Sequence, residues 1–138
     1  MIIASLGAVA FAAPAVAVGG NSGSFTNPLK NSDDTARLVN GTWKFDKWPG
    51  PTPNGFNYYG SLKDNEADGD WVYTQGKIDG YSWGSKVENH NGQAGSPVNV
   101  AQKVYGSDPP SQGRIQVCRE RNLLPDVCSQ SAWKYSAD

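Results

Sequence analysis

From Arg37 onward the chain alternates apolar and polar side chains with a period of two. In Thr42-Trp43-Lys44-Phe45-Asp46 the aromatic residues share one face and the polar residues the other, which predicts a half-buried antiparallel strand. Gly55-Phe56-Asn57-Tyr58 repeats the pattern after Pro49-Gly50-Pro51-Thr52-Pro53, whose prolines cannot join a ladder. Trp71 to Gln75 and Tyr81 to Trp83 flank Asp79-Gly80, a sequence that predicts a type I′ hairpin. Further strands are predicted over Val98 to Tyr105, Arg114 to Glu120 and Val127 to Tyr135. Roughly seven strands at this spacing predict a small all-β single domain over residues 37–138, an antiparallel β-sandwich or barrel. A helical turn near Asp33-Asp34-Thr35-Ala36 is the most helix expected.

The segment from Gly19 to Ala36 is different. It sets Gly, Ser, Asn and Asp around Phe25, Pro28 and Leu29, too little apolar surface to order a chain by itself. Residues 18–36 are therefore expected to form a flexible N-terminal arm. Such an arm is either a passive terminus or a strand that orders in a partner's groove. In the second case Phe25 and Leu29, on one face and about 13 Å apart when extended, would be the anchors, with Pro28 beside them. Replacing both with Asp should then weaken partner binding and leave the melting temperature of the domain in place.

Met1 to Val18 is apolar, uncharged and closes on Ala15-Val16-Ala17, which fits a secretory signal cleaved after residue 17. Pro14 and the Gly-rich continuation argue against a membrane span, so no stable membrane insertion is expected once the signal is removed. No Lys or Arg precedes Lys30, which leaves an upstream start codon open, and no Cys lies near the cleavage point to be lipidated. The expected location is extracellular.

Composition agrees with a β domain: 16 Gly, 9 Pro, 5 Trp, 6 Tyr and 4 Phe against one Met disfavour helices. With 12 basic and 13 acidic side chains the chain has no field for a polyanion, so nucleic acid is excluded as a partner class. An exported chain with only Cys118 and Cys128 is expected to join them. Asn122-Leu123-Leu124-Pro125-Asp126 between them reads as a turn, so the bond would staple a hairpin and add about 2–3 kcal/mol by restricting the unfolded chain. Neither cysteine belongs to a C-x-x-C pair, which argues against redox or zinc roles.

Asp64-Asn65-Glu66-Ala67-Asp68-Gly69-Asp70 places oxygens at positions 1, 3, 5 and 7 of a calcium-type loop, with Gly at 6. Asp64, Glu66, Asp68 and Asp70 are thus candidate calcium ligands. Position 12 is Gln75, which cannot give the bidentate carboxylate, and a solvated turn is the plainer reading. His90, the one histidine, sits in a loop-like Glu88-Asn89-His90-Asn91-Gly92, and the chain offers no serine on a strand-to-helix nucleophile elbow to partner it. Paired carboxylates of the glycosidase kind are available only as any acidic loop supplies them. No nucleotide loop is present, and no cofactor is expected.

Trp48 breaks the alternation set by Trp43 and Phe45, and Tyr58 and Tyr59 must point to opposite faces, so outward aromatic side chains are expected. Trp48 is a candidate partner contact. Arg121, Leu123 and Leu124 at the tip of the disulfide hairpin are further candidates, because a rigid loop loses little entropy on docking. They would equally serve to cap the domain's end.

In layout the chain resembles the small adaptor subunit of the umbrella toxin particles of filamentous actinobacteria. The likeness is carried by the Gly/Ser-rich stretch from Gly19 to Ala36, the aromatic strands from Trp43 onward, and the late pair Cys118 and Cys128. The resemblance implies a non-catalytic subunit that joins lectin-like subunits to a toxin-bearing one, with the arm around Phe25 and Leu29 inserted into one partner and the β domain docked on another. The expected function is therefore a secreted protein-binding adaptor in a hetero-oligomeric complex of secreted proteins. A secreted inhibitor of a protease or toxin acting through the tip loop, and a small extracellular hydrolase, are the alternatives.

Overall fold

The computed structural model describes residues 22–47 and 53–136. Residues 1–17, read as a signal, and Trp48, read as a partner contact, lie outside the described residues. The described residues hold ten strands and no helix. In chain order these are β1 (Ser22–Ser24), β2 (Leu29–Lys30), β3 (Ala36–Asp46), β4 (Gly55–Asp64), β5 (Trp71–Ile78), β6 (Val87–Asn89), β7 (Val98–Tyr105), β8 (Gln112–Glu120), β9 (Val127–Gln130) and β10 (Lys134–Tyr135). Two antiparallel sheets pack face to face as a sandwich: β1-β3-β4-β7 with β2 also on β3, and β9-β8-β5-β6 with β10 also on β8.

Inward-facing positions of the two sheets make one core. Phe45, Phe56, Tyr58 and Leu62 come from the first sheet, and Val72, Ile78, Ile115 and Val117 from the second. The aromatic rings run as a chain, Trp43 to Phe45 to Phe56 to Tyr58, with successive centroids 5.7, 5.0 and 6.5 Å apart. Two of these rings lie on bare backbone of the opposite sheet. A Cβ added at Gly113 would sit 2.6 Å from the Phe56 ring, and one at Gly76 would sit 2.7 Å from the Tyr58 ring. The missing side chains are what let two large rings enter the space between sheets that are ordinarily about 10 Å apart.

Strand β3 changes phase in mid-course. Leu38 and Phe45 both face the core although an odd number of positions separates them, and the pairing with β4 slips between Val39 and Thr42. Asn40, at φ 55°, takes the extra residue of this bulge. Asn27 fastens it, accepting from the Asn40 backbone N–H at 2.9 Å and donating to the Asn40 side chain at 3.0 Å.

That bulge also explains why the expected arm is not free over residues 22–36. The Phe25 N–H donates to the Gly41 carbonyl at 2.9 Å, and the Phe25 ring is 4% exposed within the core. Gly23 lies opposite Trp43 and Leu29 opposite Leu38, so β1 and β2 together complete the edge of the first sheet. The polar residues that made the segment look solvated instead bond within the protein. Asn31, 2% exposed, accepts from the Thr35 and Ala36 N–H groups at 2.9 and 3.0 Å and donates to the Val127 carbonyl of β9 at 3.2 Å. The helical turn expected at residues 33–36 is a turn without helix, closed by Asp33 accepting from the Thr35 hydroxyl at 2.5 Å.

The Asp79-Gly80 turn forms, with the Tyr81 N–H on the Ile78 carbonyl at 3.0 Å. Only Gly80 has positive φ (88°), whereas a type I′ turn needs it at both central residues. Tyr81 to Trp83 is consequently not a strand, and β5 pairs instead with β6.

Gly113→Ala should cost about 1–3 kcal/mol in denaturant unfolding, because the new methyl meets a ring that has nowhere to move. Phe25→Ala should cost about 3 kcal/mol and lower the melting temperature, as expected for a core residue and not for a partner anchor. Burial pushes the Tyr58 phenol up to about 12. Its neutral form therefore stabilises the fold fully below about pH 10, and this contribution is lost as the pH rises from there through the folded value. The Tyr58 hydroxyl is shut off from solvent without a hydrogen-bond partner, so Tyr58→Phe should hold the native state and move the alkaline unfolding midpoint upward.

Candidate functional site

One end of the sandwich gathers most of the chemistry-bearing side chains. Strand β5 starts there, β6 and β8 finish there, and the loop from β4 to β5 crosses between the sheets. Arg119 is the hub. It occupies the last inward position of β8, only 17% exposed, and reaches Asp33 at 3.0 Å, Asp68 at 3.1 Å and Asp70 at 3.8 Å. One guanidinium thus ties together the N-terminal turn, the crossing loop and β8. Burial raises the Asp33 carboxyl, but the Thr35 hydrogen bond and the Arg119 charge outweigh it and hold the group below the ordinary carboxylate range.

Two of the candidate calcium ligands in residues 64–70 take part in this network. Asp68 and Asp70 turn toward Arg119, while Asp64, 2% exposed, accepts the Glu66 N–H at 3.1 Å as a turn closure. Burial and the neighbouring acids push the Asp64 carboxyl up, against the Glu66 hydrogen bond. Among the described residues no group of three or more acidic, histidine or cysteine side chains is placed to hold a metal ion.

Cys118 and Cys128 are joined, directly opposite each other on β8 and β9 with Cα atoms 4.1 Å apart. Three further bonds fix the six-residue tip beyond them. The Tyr73 hydroxyl on β5 donates to Asp126, the Arg121 guanidinium donates to the Pro125 carbonyl at 2.9 Å, and the Arg121 N–H reaches Asp126 at 3.4 Å. Burial first, then the hydrogen bond and charge of Asp126, push the Tyr73 phenol up, which keeps it a donor across the physiological range. On this frame Leu123 is 94% exposed and Leu124 57% exposed. Leu123 also holds φ at 64°, a left-handed conformation that costs a leucine about 1–2 kcal/mol.

Beside the tip, Trp71 lies opposite Glu120 in the β5–β8 pairing and is 45% exposed. The His90 ring stacks on its indole at 3.7 Å and 15°, and His90 Nε2 is 3.0 Å from a Glu88 carboxylate oxygen. Gly69, Asp70, Trp71, Glu120 and Asn122 line a cleft of about 270 Å³. The chain matches no protein-family model, no curated protein and no solved structure.

Of the partner contacts expected from the sequence, the structure brings Arg121, Leu123 and Leu124 together at the tip and sends Phe25 into the core. Leu29 packs against that core from β2, and Pro28 precedes it in the same edge segment, half-buried. Tyr58 faces inward and Tyr59 outward, 0% and 36% exposed. Sequence reading missed Trp71, Tyr73, Glu120 and Asp126 as parts of this end. Trp71 had one usable signal, its place at the first, outward position of a strand directly after the acidic turn.

Tyr73→Phe should leave the fold in place and loosen the tip. Amide exchange of residues 121–126 should accelerate at least tenfold with the core amides unchanged, and an unaltered tip would remove Asp126 from the clamp.

Proposed function

We propose that this chain is a secreted, non-catalytic protein-binding adaptor that joins a complex of extracellular proteins through the hairpin tip at residues 121–126. One observation carries the reading: Leu123 is almost fully exposed and conformationally strained, on a loop braced by a disulfide, a tyrosine and an arginine. Strain of this kind persists where the surroundings over-determine a conformation, which is characteristic of binding loops. A preorganised pair of leucines loses little entropy on entering an apolar pocket. The disulfide is compatible with an oxidising, extracellular setting.

The docking element differs from the one first expected, because residues 22–36 are occupied in completing the first sheet. Membership of a toxin-delivering particle rests on layout alone and is kept here as one form of the adaptor reading. The same braced loop favours a second reading, an inhibitor that occupies the cleft of a secreted protease or toxin. A hydrolase reading gains no support from His90, whose ring face and Nε2 are taken by Trp71 and Glu88.

The test is capture from culture supernatant of the producing organism with tagged wild-type protein and with the double variant Leu123→Asp, Leu124→Asp. The variant should lose about 2 kcal/mol or more of affinity for each specifically captured protein, roughly thirtyfold, at an unchanged melting temperature. Equal capture by both proteins would move the docking surface elsewhere. Loss of a captured protein's own activity on binding would select inhibitor over adaptor.

A further inference from the structure

The cleft beside the tip has a chemistry of its own. Its two ionisable lining groups, Asp70 and Glu120, are both acidic, and its aromatic wall is the Trp71 indole. Glu120 Oε1 is shut off from solvent and has no hydrogen-bond donor. The cation nearest to it, Lys86, stands 3.6 Å away and lies over the Tyr73 ring at 4.2 Å. Asp70 is likewise 3.8 Å from Arg119 Nε, which is itself buried without a partner. These cations offset the acidic charge at a distance, and the Glu120 side chain as a whole stays 36% exposed, so part of its carboxylate faces the cleft. His90 covers one face of Trp71 and fixes the ring, while the indole stays 45% exposed.

We infer that this cleft receives an arginine side chain of a docked partner protein. A guanidinium is the group that both stacks flat on an indole and presents a planar fork of N–H donors to a carboxylate. Here the indole is Trp71, and the carboxylate is that of Glu120, its cross-strand neighbour on the same outward face. An ammonium would answer the charge but could not stack, and a neutral sugar would stack but bring no charge to the two acids. Asn122 lines the cleft and directly precedes Leu123, so an arginine seated there would come from the protein surface that meets the tip leucines. The inference rests on the protein-docking reading for the source of the arginine, and its pocket chemistry is tested without any partner.

The experiment titrates the isolated protein with N-acetyl-L-argininamide and follows the Trp71 indole N–H by two-dimensional NMR. N-acetyl-lysinamide, N-acetyl-glutaminamide and a panel of monosaccharides serve as comparisons. Saturable shifts centred on Trp71 and Asn122 are expected with the arginine compound, at least tenfold weaker binding with the lysine compound, and no saturation with the glutamine compound. Glu120→Gln and Trp71→Ala should each weaken argininamide binding at least tenfold, and Trp71→Phe, which keeps a stacking face, should weaken it less than Trp71→Ala. The neutral variant Leu123→Ser, Leu124→Ser, which adds no charge beside the cleft, should lose capture yet bind argininamide like wild type, so that loss of capture with an intact arginine site separates the two readings. No saturable shift, equal binding of all three amides, or saturation by a monosaccharide instead would overturn the inference.

Discussion

The rings of Phe56 and Tyr58 can enter the space between the sheets only because Gly113 and Gly76 have no side chains beneath them. Everything else in the sandwich is arranged around this contact. Phe45 and Trp43 continue the ring series along β3, and keeping them on the core face after Leu38 requires the bulge at Asn40. The bulge in turn presents the Gly41 carbonyl to Phe25, which draws the N-terminal segment onto the open edge of β3. A contact between two rings and two stretches of backbone thus determines where residues distant in sequence must lie.

Polar side chains complete what the core begins. Asn31 links the turn before β3 to β9, Asn89 of β6 donates to the Leu62 carbonyl of β4 at 2.9 Å, and Arg119 gathers three aspartates from two loops. All three connections lie toward the end that carries the tip and the cleft. Polar side chains that bridge separate elements in this way favour one arrangement, since each misplacement leaves further donors or acceptors unpaired. The result is a rigid platform, and on it the exposed leucines, the stacked Trp71 and the under-satisfied Glu120 stand out as the groups without an internal purpose.

Much of this was legible in the sequence. The alternation of Trp43 with Phe45 and of Phe56 with Tyr58, together with the spacing of the later strands, follows from the two-residue period of a strand and leads to an all-β antiparallel fold, a sandwich or a barrel. The pairing of Cys118 with Cys128 and the turn at their tip were also legible, because a short loop leaves few geometries open. The N-terminal segment was misread for a definite reason. Composition counts Asn31, Asp33 and Thr35 as solvated, whereas in the fold their polar atoms are taken up by one another, by β9 and by Arg119. Asn40-Gly41, a pair that tolerates positive φ, was the available hint of a bulge to receive Phe25.

By itself, then, the sequence determined the period, and with it which faces of the long strands are apolar and which cysteines meet. These are local properties, set by residues within a few positions of one another. Only the tertiary structure decided that residues 22–36 belong to the first sheet, that Asp68 and Asp70 of the acidic loop face Arg119, and that Trp71, His90, Glu120 and the tip leucines share one end. Those outcomes depend on which strands become neighbours across a sheet and across the sandwich. A two-residue period cannot specify that choice, because every strand with one apolar face satisfies it equally well.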